Sequence, residues 1–393
     1  MSISSTAALW RDRLRYWVAA RRRAALRLLG RDSEPEDAYL RIAQALAEKH
    51  ESSGMSSEEA MECGLVEALE ILTEDGPPQV AAALKADGPR MLAERRRLDR
   101  GFEKRLRQRW GSALDLYYMI AVACQEVGAE GYQEANQCDE GGDDERALLE
   151  AVSGLQARAC RQSLEVLSLL EAGFPKAAHA VSRSMHEGAV VASVLTEYGS
   201  TPEHSDIGLR FLLFDHITNL MDAEEHQRYA ERINHEPFTD QEMAALRTTK
   251  AAVLERFPDL DRKMGWAGDL PGLRKRTFEE LEVIAGIDHL RPYYTWASHE
   301  VHPYPKGVRL NQSGLDGDLR KLAGRTNAGL ADPAQGALIA LNQVTASMLT
   351  VPGVASPSRI VASRAATALL DEACEEFARI ERELADERTL TVW

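Results

Sequence analysis

The stretch RALLEAVSGLQARACRQSLEVLSLLE at Arg146–Glu171, followed by Ala172-Gly173-Phe174-Pro175, decides the fold class. Its apolar residues recur at three- and four-residue spacing, the period of an amphipathic helix. Gly173 supplies the C-cap of that helix, and Pro175 opens a second one that runs to about Tyr198. Outward from this pair the same spacing recurs almost everywhere, and period-2 alternation of β-branched residues is scarce. Toward the N-terminus, helices are expected over residues 6–29, 37–48, 56–72, 90–109 and 112–127. Asp75-Gly76-Pro77-Pro78 is a stop signal, and the acidic, Gly-containing segment Gly128–Glu145 reads as a mobile loop. Toward the C-terminus, helices are expected over 203–233, from Thr239 onward with Thr239 or Asp240 as cap, and over 277–286, 288–301, 333–350 and 357–388. The chain from His302-Pro303-Tyr304-Pro305 to about Leu330 reads as loop. The expectation is an all-α multi-helix bundle: a basic N-terminal helical region (1–111), a central helical domain (112–310), and C-terminal helices (311–393) packing on it.

Composition narrows the class further. The chain has 393 residues, of which 44% are hydrophobic and 28% charged, with a net charge of -15. These are the proportions of a globular protein that buries its own core. Five cysteines (Cys63, Cys124, Cys138, Cys160, Cys374) with no C-x-x-C pair support neither a disulfide framework nor a zinc ribbon. The longest charge-free run, Pro333–Ser358, contains Gln335, Asn342, Gln343 and, past its first residue, Pro352 and Pro357, which suits a buried helix better than a bilayer span. No apolar leader precedes the arginines, so a cytoplasmic location is expected.

The charge is segregated. Residues 11–31 hold eight arginines against Asp12 alone, a charge of +7, and residues 90–109 carry +6. The remainder therefore sums to -28. Arg15, Arg21, Arg22 and Arg23 in the first run, and Arg95, Arg96 and Arg97 in the second, are candidate contacts for RNA or another polyanion. The bland alternative is a solvated face, or docking onto the acidic remainder of the same chain.

Familiar catalytic motifs are missing. There is no G-x-G-x-x-G, P-loop or G-x-S-x-G, and both His186-Glu187 and His299-Glu300 fail to complete H-E-x-x-H. Neither a metal nor an organic cofactor is expected. Two segments remain. In Ala178–Glu187, His179, Arg183 and Glu187 fall at i, i+4 and i+8, with His186 beside Arg183. In Arg291–Pro303, Tyr294, Ser298 and His302 fall on one helical stripe, with His299 alongside. An ion pair fixing helix registry, and a serine and histidine satisfying each other at a helix end, are the structural alternatives.

At these residues the chain resembles an uncharacterised bacterial family, the domain-of-unknown-function family 5677. The matching landmarks are Leu164–Leu170 with Glu171-Ala172-Gly173, Arg183-x-x-x-Glu187, Gly265-Trp266-Ala267-Gly268, and Tyr294-x-x-x-Ser298-x-x-x-His302-Pro303. The resemblance implies an α-helical domain without an assigned activity, with Arg183, Glu187, Tyr294, Ser298 and His302 as its recurring polar positions. A weaker similarity links the chain to HEPN-type helical RNase domains, which pair an Arg with a His separated from it by four to six intervening residues, often across a dimer. Arg210-Phe-Leu-Leu-Phe-Asp-His216 and Arg228-x6-His235 have that spacing, whereas Arg183 and His302 stand on separate helices and depart from it.

Two functions follow as expectations. In one, the chain is a metal-independent RNase or other phosphodiester-cleaving effector of a defence or toxin system. Arg183 would stabilise phosphate charge and His302 would act as general acid or base. Glu187 would orient either of them, and Tyr294 and Ser298 would position substrate. In the other, the chain is a non-catalytic binding or interaction module whose polar cluster is structural or binds a small anion.

Overall fold

Helical spacing of apolar residues produces twelve α-helices among the residues described by this computed structural model, which are 35–74, 76–137, 142–268, 270–303, 305–310, 312–313, 320–321 and 323–390. The fold is all-α. The helix expected over 6–29, with Arg15, Arg21, Arg22 and Arg23, lies outside the described residues. The chain divides into two compact units between Phe102 and Glu103.

In the first unit, α1 (Pro35–Ser52) and α2 (Ser57–Glu74) form a hairpin. Small residues let their backbones touch. A Cβ on Gly64 would stand 2.4 Å from the Ala43 carbonyl oxygen, and Ala43, Ala47, Ala60 and Ala68 are buried around that approach. Tyr39 Oη donates to the Leu65 carbonyl at 3.0 Å, and His50 Nε2 lies 3.0 Å from Glu67 Oε1. The stop signal ends α2 where expected. The next helix, α3 (Gly76–Gln137), carries Pro77 and Pro78 in its first turn, where a missing N–H leaves no hydrogen bond unmade.

The second unit is built around a central helix. It contains the rest of α3, then α4 (Asp143–Glu171), α5 (Pro175–Gly199), α6 (Ile207–Tyr229), α7 (Asp240–Arg256), α8 (Phe278–Ile284), α9 (Arg291–Val301), α10 (Pro305–Leu310), α11 (Ala331–Thr350) and α12 (Pro357–Leu390). Helix α5 packs against α4, α11 and α9, burying Ala178, Met185, Ala189, Val190, Val194 and Leu195. Each large apolar side chain so buried contributes about 1.5–3 kcal/mol. Helix α11 supplies the opposing layer through Ala334, Ala337, Leu338, Leu341, Val344 and Met348.

Two loops expected from sequence are corrected. The segment Gly128–Glu145 is not a loop over its length, because α3 continues to Gln137 and α4 begins at Asp143. Its glycines serve packing instead of breaking the helix. A Cβ on Gly128 would stand 2.4 Å from the Gln156 side chain, and one on Gly131 would stand 2.7 Å from Val354 Cγ1. The expected loop from His302 to Leu330 contains α10 and a two-residue antiparallel ladder, Gln312–Ser313 with Arg320–Lys321. That ladder is the only β-structure among the described residues.

The loop holding Trp266 is tied down by two arginines. Arg210 pairs with Asp259 and donates to the carbonyls of Gly265 and Trp266, while Arg276 donates to those of Gly268 and Met264. Trp266 then lies edge-on to Phe211, with ring centroids 5.4 Å apart. Arg210, one of the two arginines at RNase-like spacing to a histidine, is thus engaged in shaping a loop. No helix among the described residues is long and apolar enough to cross a membrane.

Candidate functional site

Helix α9 is laid against α5 by two polar contacts. Near its C-terminal end, Glu300 receives Lys176 Nζ at 2.8 Å. One turn and a half earlier, Tyr294 reaches Arg183 and Glu187. This order makes the two helices antiparallel along their seam. Arg183 Nη2 donates to Tyr294 Oη at 2.8 Å and pairs with Glu187 Oε1 at 3.2 Å. Tyr294 Oη in turn donates to Glu187 Oε1 at 3.1 Å. The guanidinium also covers the tyrosine ring, 4.6 Å from its centroid. Glu187 is the exposed member of this closed triangle, with 40% of its side chain accessible against 19% for Arg183. Arg183 Nε is buried and has no hydrogen-bond partner.

A second cluster lies behind the first. Helix α8 is fixed by a capping box in which Thr277 accepts from the Glu280 backbone N–H and Glu280 reaches back to that of Thr277. This places Glu282 with 0% exposure between α5 and α9. His186 Nε2 lies 2.9 Å from Glu282 Oε1, and Arg291 Nη1 donates to Glu282 Oε2. The buried carboxylate therefore has a partner on each oxygen, as burial of a charge requires. Tyr294 connects the two clusters, since its ring lies 5.7 Å from His186 and 5.2 Å from Phe278.

Burial and the neighbouring Glu187 charge raise the pKa of Tyr294, against a smaller lowering from Arg183. The phenol stays protonated at neutral pH, which agrees with its donation to Glu187. Burial, and then the Lys176 charge, pull the His179 imidazole down to about 4. The sign follows. Between about pH 4 and 6.5 the unfolded chain binds the His179 proton and the folded chain does not, so stability rises with pH across that window. NMR titration is expected to find the His179 ring neutral down to pH 5. His179→Gln is expected to flatten the stability profile between pH 4 and 6.5. A ring titrating near 6.5 would remove both expectations.

Arg183, Glu187 and Tyr294 are therefore brought together, with His186 adjacent. Ser298 is near in sequence but turned away, donating its hydroxyl to the Tyr294 carbonyl at 2.7 Å. His302 leaves the stripe, because α9 ends at Val301 and His302 is its C-cap in extended backbone conformation. His302 is exposed, and its backbone N–H donates to the Ser298 carbonyl. His299 is partly buried, with Nδ1 buried and unpartnered. Arg95, Arg96 and Arg97 belong to the first unit, where their side chains are exposed.

Glu282, Arg291, Lys176 and Glu300 were not singled out from sequence. Glu282 had a readable signal: it stands four residues after Phe278 and next to Leu281, on the apolar side of a short helix. A carboxylate in such a place demands a cation. Arg291 and His186 could have been matched to it by that argument, although nothing in the sequence says they meet.

Other chemistry is limited by the surroundings. Burial pushes Cys124 up to about 11 and Cys160 to about 12, so neither is a thiolate nucleophile at neutral pH. Among the described residues, no three His, Cys, Asp or Glu side chains gather as a metal site. A shallow groove of about 370 Å³, lined by Glu103, Leu106, Arg107, Leu114, Ser168 and Glu171, shares no residue with the cluster. Its guanidinium, Arg107, already pairs with Asp115 and Glu171.

No curated protein and no solved structure matches this chain. The cluster nonetheless falls within a recognisable segment: residues 149–318, which contain all of its members, match the model of a family of unknown function, DUF5677.

Proposed function

We propose that this protein is a non-catalytic helical interaction module, in which the Arg183–Glu187–Tyr294 cluster locks α9 onto α5. The observation that carries this reading is the internal engagement of the candidate groups. Arg183 Nη2 serves Tyr294 and Glu187, Tyr294 serves Glu187, and the Ser298 hydroxyl serves a backbone carbonyl. Phosphoryl chemistry needs a guanidinium aimed at the phosphate and an imidazole within reach of the proton it moves. Here the guanidinium is turned onto a tyrosine, and His302 is the C-cap of α9, past its last helical residue.

The second reading is metal-independent RNA cleavage. The exposed arginines Arg95, Arg96 and Arg97 favour it, since such a run attracts phosphate backbones irrespective of sequence. In that reading Arg183 leaves Glu187 to meet the phosphate, and His302 is the general acid or base.

Labelled tRNA and bulk RNA incubated with the full chain, across pH and with or without Mg²⁺, separate the two. The module reading expects no cleavage. In the same series, Arg183→Ala is expected to lower unfolding free energy by about 1–3 kcal/mol and Tyr294→Phe by about 1 kcal/mol. Cleavage by the wild type that is abolished by His302→Ala would overturn the module reading.

A further inference from the structure

Helix α2 is apolar on two sides and acidic on one. Its first apolar side, Ala60 and Ala68 with Gly64 between them, is buried against α1. On the outer side, Met61, Leu65 and Leu69 recur at i, i+4 and i+8, with Val66 next to them. Met61 is 40% exposed, Leu69 36% and Val66 58%. Glu58, Glu62 and Glu70 are exposed among these residues. Over Ser57–Glu74 the helix has six glutamates and no Lys, Arg or His. A solvated helix face has no need of three large apolar side chains, and six like charges on one helix repel one another. Such a face fits a cationic, amphipathic segment.

The N-terminal sequence that precedes α1 contains one such segment. Residues 11–31 carry +7, and Trp10, Leu14 and Trp17 follow one another at helical spacing in the sequence. The basic run Arg95–Arg97 is the other cation source, but its side chains are exposed, as are those of Met91, Leu92 and Leu98 around it. We propose that residues 6–29 cover the outer face of α2, seating Trp10, Leu14 and Trp17 on Met61, Leu65 and Leu69 while the arginines meet Glu58, Glu62 and Glu70. The match is in both charge and apolar area, and it gives the basic run an occupant other than nucleic acid.

The test uses the full chain and chymotrypsin, which cuts after Trp17. Covered, that bond is protected. Glu58→Lys/Glu62→Lys/Glu70→Lys changes only exposed positions and is expected to speed cleavage after Trp17 at least tenfold. Arg21→Glu/Arg22→Glu/Arg23→Glu is expected to do the same, and the two triple variants combined are expected to restore slow cleavage. Restoration by charge exchange is a result that mere misfolding of either variant does not produce. Far-ultraviolet circular dichroism equal to wild type confirms that α1 and α2 persist in each variant. Equal cleavage rates in all four proteins, or no restoration on combination, would overturn the proposal. Protection that is lost on dilution would overturn it in favour of a second copy of the chain. Protection that appears only with added RNA would assign the segment to a polyanion instead. None of these outcomes depends on whether the α5–α9 cluster is catalytic.

Discussion

Glu282→Ala is expected to destabilise the second unit by about 3–5 kcal/mol, the usual consequence of removing one partner from a buried ion pair. The carboxylate has 0% exposure and holds Arg291 on one oxygen and His186 on the other. Its removal leaves a guanidinium facing a cavity and an imidazole without its acceptor. The guanidinium has one escape, since Arg291 is 35% exposed and also meets Glu279 at 3.5 Å. That contact places the expectation toward the lower end of the range. Glu282→Gln keeps an acceptor of the same shape and is expected to cost less than the alanine. A double-mutant cycle isolates the pair: Glu282→Ala/Arg291→Ala should cost less than the sum of the single changes, because no unpaired charge remains. Urea denaturation supplies every number in the cycle. A loss below about 1 kcal/mol for Glu282→Ala would mean that Arg291 is held by solvent and Glu279 alone.

The architecture was readable because the apolar residues of α4, α5, α11 and α12 keep the helical period without interruption. The breaks at Asp75–Pro78 and Ala172–Pro175 are chemically explicit, and Thr239 caps α7 through the box it forms with Glu242. What misled was glycine. Gly128 and Gly131 read as loop residues beside acids, yet they are the close-approach points of α3 with Gln156 and Val354. A glycine required by packing and one required by a turn look alike when the neighbouring helix is unknown. The site was half legible for a related reason. The Arg183–Glu187 spacing lies within one helix, and helical geometry alone places those side chains together. Tyr294 joined them only through the α5–α9 contact. The stripe Tyr294–Ser298–His302 assumed one more helical residue than α9 has, and the extended backbone at His302 broke it. Glu282 belongs to a third element, and the need of its charge for partners was visible before the partners themselves.

The other large expected effect concerns a residue at the edge of a basic run. Trp110 follows the arginines of 90–109, a stretch whose charge draws attention outward to solvent. Its indole has 0% exposure, with its ring centroid 5.8 Å from that of Phe377 on α12. Nε1 donates to the Asn327 carbonyl at 2.9 Å. One side chain thus joins α3, α12 and the segment preceding α11. That segment is further held where Thr326 N–H donates to the Gly173 carbonyl and Arg325 pairs with Glu103. Trp110→Ala is expected to cost about 3–5 kcal/mol, from lost apolar burial and the cavity left behind. Trp110→Phe keeps most of the ring but strands the Asn327 carbonyl, and is expected to cost less, about 1–3 kcal/mol. Hydrogen exchange should localise the alanine's effect: residues 326–330 and the part of α12 around Phe377 should lose protection before α5 does. Uniform loss of protection across the unit would show that Trp110 stabilises the whole core as a single cooperative body instead of fastening its C-terminal layer.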